Sequence, residues 1–89
     1  MPTMIATHRV RDYDAWRPHF DQHEGKRREH GITNPRIYRN TADPNDLVLL
    51  ADVADEARVK DFGASDHLRN VMEKADVQMR TVSVKVIPD

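Results

Sequence analysis

Leu47-Val48-Leu49-Leu50-Ala51 is an unbroken apolar run in an 89-residue chain that is only 38% hydrophobic and 33% charged. A short aliphatic run of this kind reads as a central strand covered on both faces. On its N-terminal side, Asp43-Pro44-Asn45-Asp46 is a turn by composition, with the proline preset for the second position. Before that turn, residues 32–39 make a second strand, weakened early by Pro35, which suits an edge position. On the C-terminal side Asp52 interrupts the run. Asp55 can cap a short helix through Phe62, and Gly63 breaks it. Ser65 or Asp66 restarts the helix, with Leu68, Val71, Met72 and Ala75 on one stripe.

The outer segments follow the same logic. Residues 3–10 put Met4, Ala6, His8 and Val10 on one face at period two, a strand. Val82, Val84 and Val86 alternate with Ser83 and Lys85 in a last strand that ends at Pro88. Between the first two strands, Asp12 can cap a helix whose first turn carries Asp14, favoured by the helix dipole. Trp16, Phe20, His23 and Arg27 recur along one stripe of it, and it ends near Gly31. Pro18 lies inside that pattern and predicts a short first turn or a kink before the main helix. The order is β-α-β-β-α-β. With right-handed crossovers it gives a ferredoxin-like α+β fold: a four-stranded antiparallel sheet with both helices on one face. The opposite face would expose aliphatic side chains, and a second copy of the sheet is the simplest cover.

Size bounds what this fold can do alone. The chain is one domain over residues 1–89, and folding buries only about 64% of its surface. Without cysteine there is no disulfide, zinc–thiolate or iron–sulfur reinforcement. A homodimer, facing sheet to sheet as a barrel, is therefore expected. No apolar run reaches the ~20 residues of a membrane span, and no signal-peptide core opens the chain, so a cytoplasmic protein is the default. The formal charge of −1 argues against nucleic acid or a membrane surface as partner. Lys26-Arg27-Arg28, flanked by Glu24 and Glu29, reads as a solvated helix face. The central strands carry no aromatic residues for stacking RNA bases, and no glycine-rich phosphate loop exists.

Val10-Arg11-Asp12-Tyr13-Asp14-Ala15-Trp16-Arg17-Pro18, followed by Phe20-Asp21-Gln22-His23, resembles the first helix of small bacterial dimeric α+β-barrel proteins of the antibiotic-biosynthesis-monooxygenase-like or cyclase-like kind. Asp43-Pro44-Asn45-Asp46 is similar to that group's hairpin turn. Phe62 through Ser65-Asp66, with Leu68 and Met72, resembles its second helix. Ala75-Asp76-Val77 stands where the group has Ala-Gly-Val. The strand tryptophan with Asn and Arg, and the haem-binding Asn-Trp-His set, of better-known relatives have no counterpart here. The only tryptophan, Trp16, lies on the first helix. The resemblance implies a dimeric barrel and a small-molecule site.

His23 and Arg27 share the stripe of Trp16 and Phe20, and a polar residue on an apolar face must find a partner or line a cavity. In a ligand pocket His23 would act as acid/base and Arg27 would hold a carboxylate, enolate or phenolate. In a purely structural role Arg27 would snorkel at the helix end and His23 would bond a buried carbonyl. His8, Trp16, Phe20, Tyr38, Phe62, His67 and Met72 complete the candidate binding set, with Phe62 and Met72 closing the space from the second helix. His67 has solvent as its other setting, Tyr38 edge-strand packing, and His8 the sheet–sheet interface. His19 and His23, spaced i,i+4, could share a metal only if a third ligand converged on them, so neither metal nor organic cofactor is expected. The expected function is a small enzyme acting on an aromatic or polyketide-like molecule, as a cofactor-independent monooxygenase or cyclase/isomerase. The alternative is a non-catalytic small-molecule-binding or stress-associated dimeric barrel.

Overall fold

The computed structural model describes residues 2–88. Strand β1 (Thr3–Arg9) leads into helices α1 (Tyr13–Gln22) and α2 (Glu24–Glu29), then strands β2 (Ile32–Asn40) and β3 (Asp43–Val53). Helices α3 (Glu56–Gly63) and α4 (Asp66–Lys74) follow, then a 3-10 turn (Met79–Thr81) and strand β4 (Ser83–Ile87). The sheet is antiparallel in the order β2-β3-β1-β4, the ferredoxin-like arrangement, with β1 and β3 central.

The three expected caps are in place. The side chains of Asp12, Asp55 and Ser65 accept from the backbone N–H groups of Asp14, Ala57 and Leu68. Gly31 closes α2 at φ 74°, and a Cβ there would meet the Ala54 Cβ at 3.0 Å. Asp76, at the position where the resembled group has glycine, takes φ 58°. Its left-handed backbone explains that preference.

Four local expectations are corrected. Helix α1 runs through Pro18 without a break, and the interruption falls at His23, between α1 and α2. Pro18 is solvent-exposed, so the Asp14 carbonyl left without its donor can face water. Asp43-Pro44-Asn45-Asp46 belongs to β3, and the turn is Thr41-Ala42, held by Ala42 N–H donating to Asn40 Oδ1 at 2.9 Å. Pro44 is tolerated because β1 pairs with β3 only from Asp46 onward, so no partner strand needs its missing donor on that side. Strand β3 is covered on one face only: Leu47, Leu49, Ala51 and Val53 are buried, while Val48 and Leu50 turn to the open face. Finally, Lys26 and Arg28 pair with Glu29 and Glu24 in solvent, but Arg27 is buried.

Pro35 does mark an edge. Strand β2 is outermost, and its pairing with β3 shifts register between Thr33 and Arg36, where Asn34 has φ 51°. The core lies between the sheet and the helices, built on Met4, Ala6, Ile32, Leu49, Ala51, Val53, Val59 and Phe62, with Val10, Trp16, Leu47, Ala75 and Val77 continuing it. On the other face, Ile5, Val48, Leu50, Tyr38 and Ile87 stand with Thr3, Thr7, Arg36, Asp52 and Lys85, since each is in register with a neighbour of the same face. That face has no cover among the described residues.

Candidate functional site

Four side chains form a continuous stack along the helix-facing side of the molecule. His8 meets Trp16 edge-on with ring centres 5.7 Å apart, and Trp16 stacks on Phe20 at 5.0 Å. The Arg27 guanidinium carbon lies 3.7 Å from the centre of the Phe20 ring. Strand β1 supplies the first member, α1 the next two and α2 the last. The i,i+4 spacing of Trp16 and Phe20 places their rings together, and the break at His23 turns α2 so that Arg27 folds back over Phe20.

Beside this stack is a cavity of about 200 Å³, walled by the sheet, by Phe62 of α3, and by Leu68, Val71 and Met72 of α4. Its walls are almost wholly apolar, with His8, His19, His23 and Arg27 as the polar exceptions. Helix α4 fully buries no residue, so its apolar stripe faces the cavity half-covered. The exposed Met79 and Val84 mark the side where the cavity opens.

The polar groups differ in what they have left to offer. His23 Nδ1 donates to the His19 carbonyl at 2.8 Å, which leaves Nε2 as the lone-pair nitrogen of the neutral ring. Arg27 Nη1 donates to the Phe20 carbonyl at 2.6 Å, closing the end of α1 that the break exposes. Arg27 is only 7% exposed, and no carboxylate pairs with it among the described residues. Burial lowers its pKa from the ordinary arginine value, opposed by the charges of Glu24 and Asp21. His8 is likewise 7% exposed, its Nε2 has no hydrogen-bond partner among the described residues, and burial lowers its pKa.

Of the residues expected at a site, His8, Trp16, Phe20, His23, Arg27, Phe62 and Met72 line this one cavity. Two do not. Tyr38 projects from the opposite sheet face and is 54% exposed, because its register partner is Val48 rather than Leu47 or Leu49. His67 lies outside the wall, with its ring 5.4 Å from that of His23 across the gap between helix pairs. His19, considered only as a metal ligand, lines the cavity, as its place one turn before His23 could have told. No cluster of three or more His, Asp or Glu side chains suited to a metal occurs among the described residues.

Fold and cavity together define a ferredoxin-like α+β chain with an apolar helix–sheet site. No family model matches it, and neither does any curated protein. Solved structures do. One named as an antibiotic biosynthesis monooxygenase is 16% identical over 100% of this chain and 98% of its own, with a TM-score of 0.69. A protein of Bordetella bronchiseptica described provisionally by the same name is 14% identical over 99% and 95%, with a TM-score of 0.75. Rv0793 of Mycobacterium tuberculosis is 19% identical over 100% and 95%, with a TM-score of 0.64. The resemblance noted in the sequence thus extends to the whole fold. At these identities it is a likeness of fold. No helix among the described residues is long and apolar enough to cross a membrane.

Proposed function

We propose that the cavity binds a small aromatic or polyketide-like molecule bearing an acidic oxygen, and that the protein acts on it as a cofactor-independent monooxygenase or cyclase/isomerase. The observation that carries this reading is Arg27, a buried cation in an apolar cavity wall with no carboxylate partner among the described residues. A desolvated charge with no direct ion-pair partner is unfavourable, and an anionic ligand oxygen would supply one. His23 Nε2 is the available base: it would take a proton from the ligand, and Arg27 would steady the enolate or phenolate that results. A cyclase or isomerase returns that proton to a different atom, whereas in a monooxygenase the ligand itself reduces dioxygen: an activated CH2 becomes a carbonyl, one oxygen atom entering the ligand and the other leaving as water. The names of the structural neighbours favour the second.

A second copy of the chain is proposed to cover the open sheet face, where Ile5, Val48, Leu50, Tyr38 and Ile87 would otherwise meet water. Calorimetric titration with 2-naphthoate tests the site. The wild type should bind it, and Arg27→Met should weaken binding at least about tenfold, one lost charge-assisted hydrogen bond. Equal affinity in the two proteins would reject Arg27 as the anion site. One observation favours a non-catalytic binding module instead: His23 Nδ1 and Arg27 Nη1 are both engaged by carbonyls of α1. Dioxygen uptake, or conversion to an isomeric or cyclised product, with anthrone-like and naphthol-like compounds separates the two readings.

A further inference from the structure

We propose that His8 is the specificity-determining residue of this cavity, and that it recognises a neutral hydroxyl group on the ligand at the far end of the aromatic stack from Arg27. The inference rests on the cavity reading above and adds the polarity of the ligand's second end.

His8 is out of place for a core position. Its face-mates are Met4 and Ala6 on β1 and Val10 just beyond it, all buried, and its register partner Leu47 is fully enclosed. An aliphatic residue would satisfy the strand pattern and the packing. The imidazole instead brings Nε2 into the interior without a partner among the described residues, a loss that natural cores avoid unless the group has work to do. The one other orphaned side-chain atom among the described residues, Arg36 Nε, belongs to a guanidinium that meets Asp52 at 3.3 Å. His8 has no such relief among the described residues.

Burial also decides which ligand group it suits. Desolvation disfavours the imidazolium, so at neutral pH the ring offers one N–H donor and one lone-pair acceptor. A hydroxyl is complementary to either. A carboxylate is better served by the permanent charge of Arg27, which stands at the other end of the stack: Arg27 on Phe20, Phe20 on Trp16, Trp16 on His8. A flat ligand lying along those rings would therefore be oriented with its acidic oxygen toward Arg27 and its hydroxyl toward His8. The cavity, about 200 Å³, exceeds the ~150 Å³ apolar void that accepts benzene, which leaves room for a ligand larger than one ring. Sites built to bond a hydroxyl discriminate strongly against analogues lacking it, because the site's own polar group is otherwise stranded.

The test compares 6-hydroxy-2-naphthoate with 2-naphthoate by calorimetric titration of the full chain. The wild type should prefer the hydroxylated compound about tenfold, one hydrogen bond's worth. His8→Phe should abolish that preference, the two compounds then binding alike, and His8→Gln should restore part of it. Equal wild-type affinities for the two compounds would overturn the proposal without any variant, the orphan nitrogen then being answered by a buried water. A preference that survives in folded His8→Phe would overturn it too. If 2-naphthoate binds in an Arg27-dependent way with no preference, His8 alone is misassigned. If neither compound binds, the cavity reading fails and this inference falls with it.

Discussion

Arg11 donates its backbone N–H to the Asp76 carbonyl at 3.0 Å, and Asp76 makes that bond from φ 58°. The left-handed backbone there is fixed by its surroundings: Val77 N–H donates to the Met72 carbonyl and Gln78 N–H to the Arg9 carbonyl, so the loop is tied at both ends. Asp76→Gly should therefore raise stability by about 0.5–1 kcal/mol, relief of left-handed strain offset in part by a freer unfolded chain. Asp76→Ala should lower it. Urea unfolding of the three proteins checks the order, and a less stable glycine variant would contradict it.

Arg27 is built into the fold as well as into the cavity. Its guanidinium bonds the Phe20 carbonyl and packs on the Phe20 ring. Arg27→Gln should lose both contacts and leave the carbonyl without this donor, destabilising the protein by about 1–3 kcal/mol. An unfolding midpoint equal to the wild type would show that the ligand, rather than the helix break, is the reason for this arginine.

The elements and their order were legible because period and caps agree along most of the chain. Met4, Ala6 and His8 do face one way, and Asp12, Asp55 and Ser65 do cap. Less legible was what tertiary contacts decide. Pro18 carries a local signal for a kink, yet the helix passes through it because that side faces solvent. His23 carries no breaking signal, yet the helix breaks there, and Arg27 reaches back across the break to the Phe20 carbonyl. The stripe Trp16, Phe20, His23 and Arg27 nevertheless stayed in phase, so those residues reach one cavity. Tyr38 was misplaced because β2 carries a bulge, and the sequence of an edge strand fixes its facing weakly.

Leu50 lies between Ile5 and Arg36 in register on the open face. If a second sheet covers it, the wild type should sediment at twice the chain mass at micromolar concentration. Leu50→Lys should sediment as a folded monomer, because a buried lysine opposes association while a half-exposed one is tolerated in the single chain. A wild type that is monomeric and unfolds cooperatively would dispose of the dimer.

His8 should also leave its mark on the pH dependence of stability. Burial holds its pKa below the ordinary histidine value, so the folded protein resists a proton that the unfolded chain accepts. Below about pH 6.5 the unfolded state then binds more protons, and stability falls with pH until His8 itself protonates in the fold. The contribution of this one group to the slope is at most about 1.4 kcal/mol per pH unit. His8→Phe removes it. The stability difference between variant and wild type should be constant above pH 7.5 and should widen in the variant's favour from pH 6.5 to pH 5. Urea unfolding across that range, with both proteins folded at each pH, measures the difference directly. Parallel curves would mean that His8 takes up its proton as readily in the fold as outside it, and that the cavity wall around it is open to water.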